Sequence, residues 1–75
     1  MSIWQARSVN ASSDLALLSS LITQVDELTA RVTALAESYG ATPDSAVAAE
    51  LFSAERALTT ARRSLARASG FLEQT

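Results

Sequence analysis

The stretch from Leu18 to Tyr39 reads LSSLITQVDELTARVTALAESY, and its apolar residues recur at steps that alternate between three and four. These residues fit the a and d positions of a heptad, the seven-residue repeat lettered a to g. They are Leu18, Leu21, Val25, Leu28, Val32, Leu35 and Tyr39. The spacing is typical of an α-helix that packs along one side.

A second run with the same spacing follows after a short interval. Its a positions are all leucine, and its d positions are one valine followed by alanines. The d and a residues in chain order are Val47, Leu51, Ala54, Leu58, Ala61, Leu65, Ala68 and Leu72. The chain also holds fifteen alanines and ten leucines, which favour helix, against two glycines and one proline. The sequence therefore predicts two helices and no sheet.

Local signals at the helix ends divide the chain into two parts. Residues 1–11 form an N-terminal arm, and residues 12–75 form a helical hairpin with a helix at 13–39, a turn at 40–42, a helix at 43–69 and a short tail. Gly40 is placed where a left-handed residue would end the first helix, and Gly70 where the second would end. Thr42 and Pro43 fit the N-cap and first position of the second helix. Two helices of equal length joined by three residues must be antiparallel, so the predicted fold is an all-α helical hairpin.

The heptads predict how the two helices pair. In antiparallel register the a residues Leu18, Val25 and Val32 meet leucines of the second helix. The d residues Leu21, Leu28 and Leu35 meet Ala61, Ala54 and Val47, so that large side chains face small ones. This seam would bury both the a and the d positions.

A hairpin of this size seldom buries enough apolar surface to be stable alone. One flank beside the predicted seam, at positions e and b, is apolar. Its residues are Leu15, Ile22, Ala36, Ala48 and Phe52. We interpret them as an interface, either the inner face of a homodimeric four-helix bundle or a site for a different protein partner; the remaining alternative is an isolated hairpin.

The composition argues against catalysis. The chain has no lysine, histidine or cysteine, which excludes cysteine nucleophiles, imidazole bases, Schiff-base chemistry and thiolate metal sites. None of the eight carboxylates stands three or four residues from another, so no helix presents two of them as a di-metal site requires. We expect no enzyme activity, no catalytic residues, no bound metal and no cofactor.

Four arginines on the second helix form the one marked charge feature. They are Arg56, Arg62, Arg63 and Arg67. The cluster has three possible explanations: it is a solvated basic face, it contacts an acidic surface on a partner or second subunit, or it binds phosphate groups. The net charge of −2 argues against general nucleic-acid binding.

The arm and the uncharged stretches bear on location. Trp4 in the arm could fold back over the open end of the hairpin or dock into a partner. No secretory signal pattern is visible, and the longest uncharged run, residues 15–25, is too short to span a membrane. We expect a cytoplasmic protein without a membrane span.

These features together predict a non-enzymatic protein–protein interaction module. It would act as a self-associating coiled-coil or four-helix-bundle scaffold or adaptor. The alternative is a small regulator, of the antitoxin, inhibitor or secretion-partner type, that binds one target protein through the same apolar flank.

Overall fold

The computed structural model describes residues 10–74, which form two α-helices. Helix α1 spans Ala11–Tyr39 and helix α2 spans Ser45–Glu73, each 29 residues long. Side-chain contacts between Thr33 and Glu55 and between Asp26 and Arg62 show that the helices are antiparallel. The predicted all-α helical hairpin is confirmed. The proposed positions of Trp4 lie outside the described residues.

Helix α1 begins two residues before the predicted start. Asn10 occupies the N-cap with extended backbone, and its Oδ1 accepts a hydrogen bond from the backbone N of Ser13 at 3.1 Å. Asp14 lies in the first turn, where its carboxylate complements the positive end of the helix dipole. An asparagine is as good a cap as the serines that follow it, so the helix extends to the earliest one.

The turn covers residues 40–44 and differs in detail from the prediction. Gly40 is not left-handed: its φ is −62° and its ψ is −29°. The hydroxyl of Thr42 donates to the carbonyl oxygen of Tyr39 at 2.7 Å and accepts from the backbone N of Asp44 at 3.2 Å. Thr42 therefore fixes the turn, and α2 begins only at Ser45, after Pro43 and the N-cap Asp44.

Helix α2 continues through Gly70 instead of ending there. A Cβ added at Gly70 would meet no heavy atom within 4 Å. Because a helical glycine loses more backbone entropy on folding than alanine, Gly70→Ala should raise the free energy of unfolding by about 0.5–1 kcal/mol. Thermal unfolding followed by circular dichroism measures this.

The exposed Ala66 supplies the matched control for that substitution. Ala66→Gly, one turn earlier on the same helix, should lower the stability by a similar amount at equal protein concentration. A melting temperature of Gly70→Ala below that of the unaltered protein would contradict the continuous helix described here.

The contact between the helices differs from the predicted seam by a rotation of both helices. Ala36 and Ala48, both at e positions, are buried, with 0% and 5% of their surface exposed. The leucines at the a positions are half-buried, whereas the d residues of the predicted seam, apart from Ala68, are exposed. Those with large side chains are Leu21, Leu28, Leu35 and Val47.

Two features account for the rotation. Small side chains at Ala36 and Ala48 allow the helices to approach closely near the turn. Farther along, Thr33 Oγ1 donates to a carboxylate oxygen of Glu55 at 2.8 Å, and Arg62 Nε donates to Asp26 Oδ1 at 2.8 Å. These contacts join b positions of α1 to e positions of α2, and both positions lie on the e flank of a. The helices therefore meet through their a and e positions, and not through a and d.

Candidate protein interface

The large apolar side chains that remain most exposed share one side of their helices. All six occupy d or g positions of the two heptad runs, which are neighbouring positions on a helical surface. They are Leu17, Leu21, Leu28, Leu35, Val47 and Phe71. Leu28 is 46% exposed and Leu35 is 50% exposed, although both are completely apolar.

The d and g positions of both helices lie on the same side of the hairpin. The contacts of Asp26 with Arg62 and of Thr33 with Glu55 join b and e positions, and they lie along one edge where the helices meet. On each helix, positions d and g lie on the flank of a that is opposite to e. Because the helices are antiparallel, these two flanks lie on the same side of the hairpin. We call this side the exposed face.

Two rows of residues at d positions run along the exposed face. Leu21, Leu28 and Leu35 form the leucine row of α1. Ala54, Ala61 and Ala68 form the alanine row of α2. Charged residues at the d and g positions are few, namely Asp14, Arg31 and Glu50. Depletion of charge around exposed apolar side chains is typical of the central part of a protein interface.

The five residues predicted as an interface lie along the opposite, inward flank. Ala36 and Ala48 are buried by the other helix of the same chain, and Leu15, Ile22 and Phe52 are half-buried. While the hairpin is closed, Ala36 cannot contact a partner because none of its surface is accessible. The partner role of Leu15, Ile22 and Phe52 stays a prediction.

An open groove of about 400 Å³ lies between the helices near their free ends. Leu15, Ile22, Asp26, Arg62 and Glu73 are among its lining residues. Among residues 10–74, no group of three or more histidine, cysteine, aspartate or glutamate side chains could hold a metal ion. The groove is open to solvent at the helix contact, and the ion pair of Asp26 and Arg62 forms part of its wall.

The four arginines differ in their surroundings. Arg62 pairs with Asp26, and Arg67 Nη2 donates to Ser64 Oγ at 3.0 Å. Because both partners of the ion pair are about half exposed, it contributes less than about 1 kcal/mol to stability. Within the part of the chain that the structure describes, no ion pair joins Arg56, Arg63 or Arg67 to an acidic group. An anionic contact for these three stays a prediction.

The fold and its surface define a class: an antiparallel helical hairpin with one exposed apolar face. The chain matches no protein-family model, and the comparisons with curated proteins and with solved structures found no significant similarity. Neither α1 nor α2 has an apolar stretch long enough to cross a lipid bilayer.

Proposed function

We propose that this protein is a non-enzymatic protein–protein interaction module that self-associates into a homodimeric four-helix bundle and acts as a scaffold or adaptor. One observation carries the proposal. No large side chain among residues 10–74 is fully buried, whereas six large apolar side chains are well exposed. Residues 10–74 thus form a helix contact but no closed hydrophobic core of their own.

A single hairpin leaves much of its apolar side-chain surface in contact with water. Full burial of a leucine or phenylalanine side chain stabilises a fold by about 1.5–3 kcal/mol relative to leaving it exposed. Two helices have one mutual contact, so most of this stabilisation is not realised in a single hairpin. A second hairpin placed on the exposed face buries the remaining apolar side chains, which is the arrangement of a four-helix bundle.

Static light scattering of the full chain tests the proposal. One chain has a mass of 7.9 kDa, so a homodimer should have about twice that mass at micromolar concentration. The melting temperature should also rise with protein concentration, because association stabilises the folded state by mass action. A monomer mass throughout the concentration series, with a melting temperature independent of concentration, would rule out self-association.

The second candidate is a small regulator that binds one target protein as a single hairpin. The observation that favours it is the set of arginines without an acidic partner in the described chain, since such a cluster complements an acidic protein surface. A monomeric mass together with the exposed apolar face would support this candidate. The cytoplasmic location predicted from the sequence stays a prediction under both proposals.

A further inference from the structure

We propose that a second copy of this chain covers the exposed face, related to the first by a twofold axis that runs parallel to the helices. In this arrangement α1 of each copy lies on α2 of the other. The leucine row of each copy then packs on the alanine row of its partner. The inference rests on the proposed self-association and adds the symmetry and the residues that meet between the copies.

The size of the exposed face fits a stable dimer. A helix of 29 residues is about 44 Å long, and two adjacent helices are about 20 Å wide. The face therefore measures roughly 880 Å², compared with about 800 Å² per partner in a standard protein–protein interface. A second hairpin of the same length covers this face completely, whereas a short peptide would leave much of it exposed.

The net charges of the two helices favour this symmetry, and they act at long range because only Asp14, Arg31 and Glu50 lie at d or g positions. Helix α1 carries four acidic residues and one arginine, a net charge of −3. Helix α2 carries four arginines and three glutamates, a net charge of +1. A twofold axis parallel to the helices places acidic α1 on basic α2 at both contacts between the copies. A twofold axis perpendicular to the helices would place α1 on α1, and two acidic helices would repel each other.

Side-chain size selects the same arrangement. Helix α1 presents leucines at its exposed d positions, and α2 presents mainly alanines. Leucine on alanine fills the space between helices evenly, whereas leucine on leucine and alanine on alanine would alternate crowding with voids. The exposed face is therefore complementary to itself only when each α1 meets the partner's α2.

The register of the hairpin identifies a contacting pair in the dimer. The contacts of Thr33 with Glu55 and of Asp26 with Arg62 place the side chain at position 28 of α1 opposite that at about position 60 of α2. Helical side chains lean toward the N-terminus of their own helix, and the two helices are antiparallel. Leu28 and a side chain at position 61 therefore lean toward each other. A twofold axis parallel to the helices leaves each residue at the same height along the helices. Leu28 of one copy therefore lies near position 61 of the other copy.

The first test is Leu28→Glu, with Ala30→Glu as its matched control. Leu28 lies on the exposed face, and Ala30 is exposed elsewhere on the same helix. Leu28→Glu should raise the dimer dissociation constant at least about 100-fold, because it places a carboxylate in each copy of an apolar interface. Ala30→Glu should leave that constant unchanged. Equal dimer masses for both variants would overturn the assignment of the face, although self-association itself would stand.

The second test uses two purified variants, Leu28→Ala and Ala61→Leu, alone and mixed. Each homodimer should be weakened at least about 10-fold, the first by voids and the second by crowding. In the mixed dimer, the alanine of one copy meets the leucine of the other at one contact. The second contact is the unaltered pair of leucine and alanine. Both contacts are therefore complementary, and the mixed dimer should form in preference.

Native mass spectrometry of the mixture measures this preference, with a short tag distinguishing the chains. A mixed-dimer fraction clearly above the one half given by random pairing supports the proposed axis. A compensating contact within one chain cannot produce this result, because each chain carries only one of the two substitutions. A fraction of one half or less overturns the axis. A monomeric unaltered protein would instead overturn the proposed self-association, so the two failures are distinguishable.

Discussion

Ala36→Glu should unfold the hairpin. Ala36 has no exposed surface in the folded chain and lies at the close approach of the two helices near the turn. A glutamate there would either bury an unpaired carboxylate or force the helices apart, and each outcome costs several kcal/mol. A domain this small has only a few kcal/mol of stability. We expect loss of most of the far-UV circular dichroism signal for helix at neutral pH.

Ala34→Glu is the control for this substitution. Ala34 is two residues away on the same helix and is exposed, so the same chemical change there should leave the helical signal unchanged. If the two variants have equal helicity, Ala36 is not in the helix contact, and the a and e positions are not the ones through which the helices meet.

Periodicity was sufficient to predict the two helices and their antiparallel order. The heptad runs on either side of Gly40 are long, and the turn between them is too short for any other arrangement. The exact ends were harder to predict, because several residues compete for each role. Asn10, Ser12 and Ser13 all favour an N-cap, and only the packed structure shows that Asn10 takes that position.

The rotation of the helices could not be predicted from periodicity, because α1 is apolar over a wide arc. Leu21 and Ile22 are neighbours in the sequence and occupy d and e, so either flank of the a positions could face the second helix. The choice depends on contacts between residues far apart in the chain, such as Thr33 with Glu55. The wide apolar arc is visible in the sequence, but it does not show which of its two edges faces the second helix. A helix with apolar a, d and e positions has two neighbours to pack against, as in a four-helix bundle.

Ile22→Glu and Leu28→Glu should therefore act on different steps, the first on folding of the hairpin and the second on its assembly. Ile22 is half-buried in the helix contact and lines the groove beside Asp26. Ile22→Glu removes an apolar contact within the chain and adds a second carboxylate near Asp26, so it should lower the free energy of unfolding by at least about 2 kcal/mol. Leu28 is half exposed in the hairpin, so Leu28→Glu should lose dimer mass and retain more of the helical signal than Ile22→Glu, with some loss because the single hairpin is only marginally stable.

Light scattering and far-UV circular dichroism on the same samples, over a concentration series, separate the two effects. Ile22→Gln has nearly the same shape as Ile22→Glu without its charge, so the difference between them isolates the repulsion from Asp26. Ser20→Glu places the same charge on an exposed residue of α1 that has no acidic residue three or four positions away, and it should change neither readout. The opposite pattern, with Ile22→Glu folded but monomeric and Leu28→Glu unfolded, would mean that the helices meet through their a and d positions. The surface left for a partner would then be the flank of Leu15, Ile22 and Phe52.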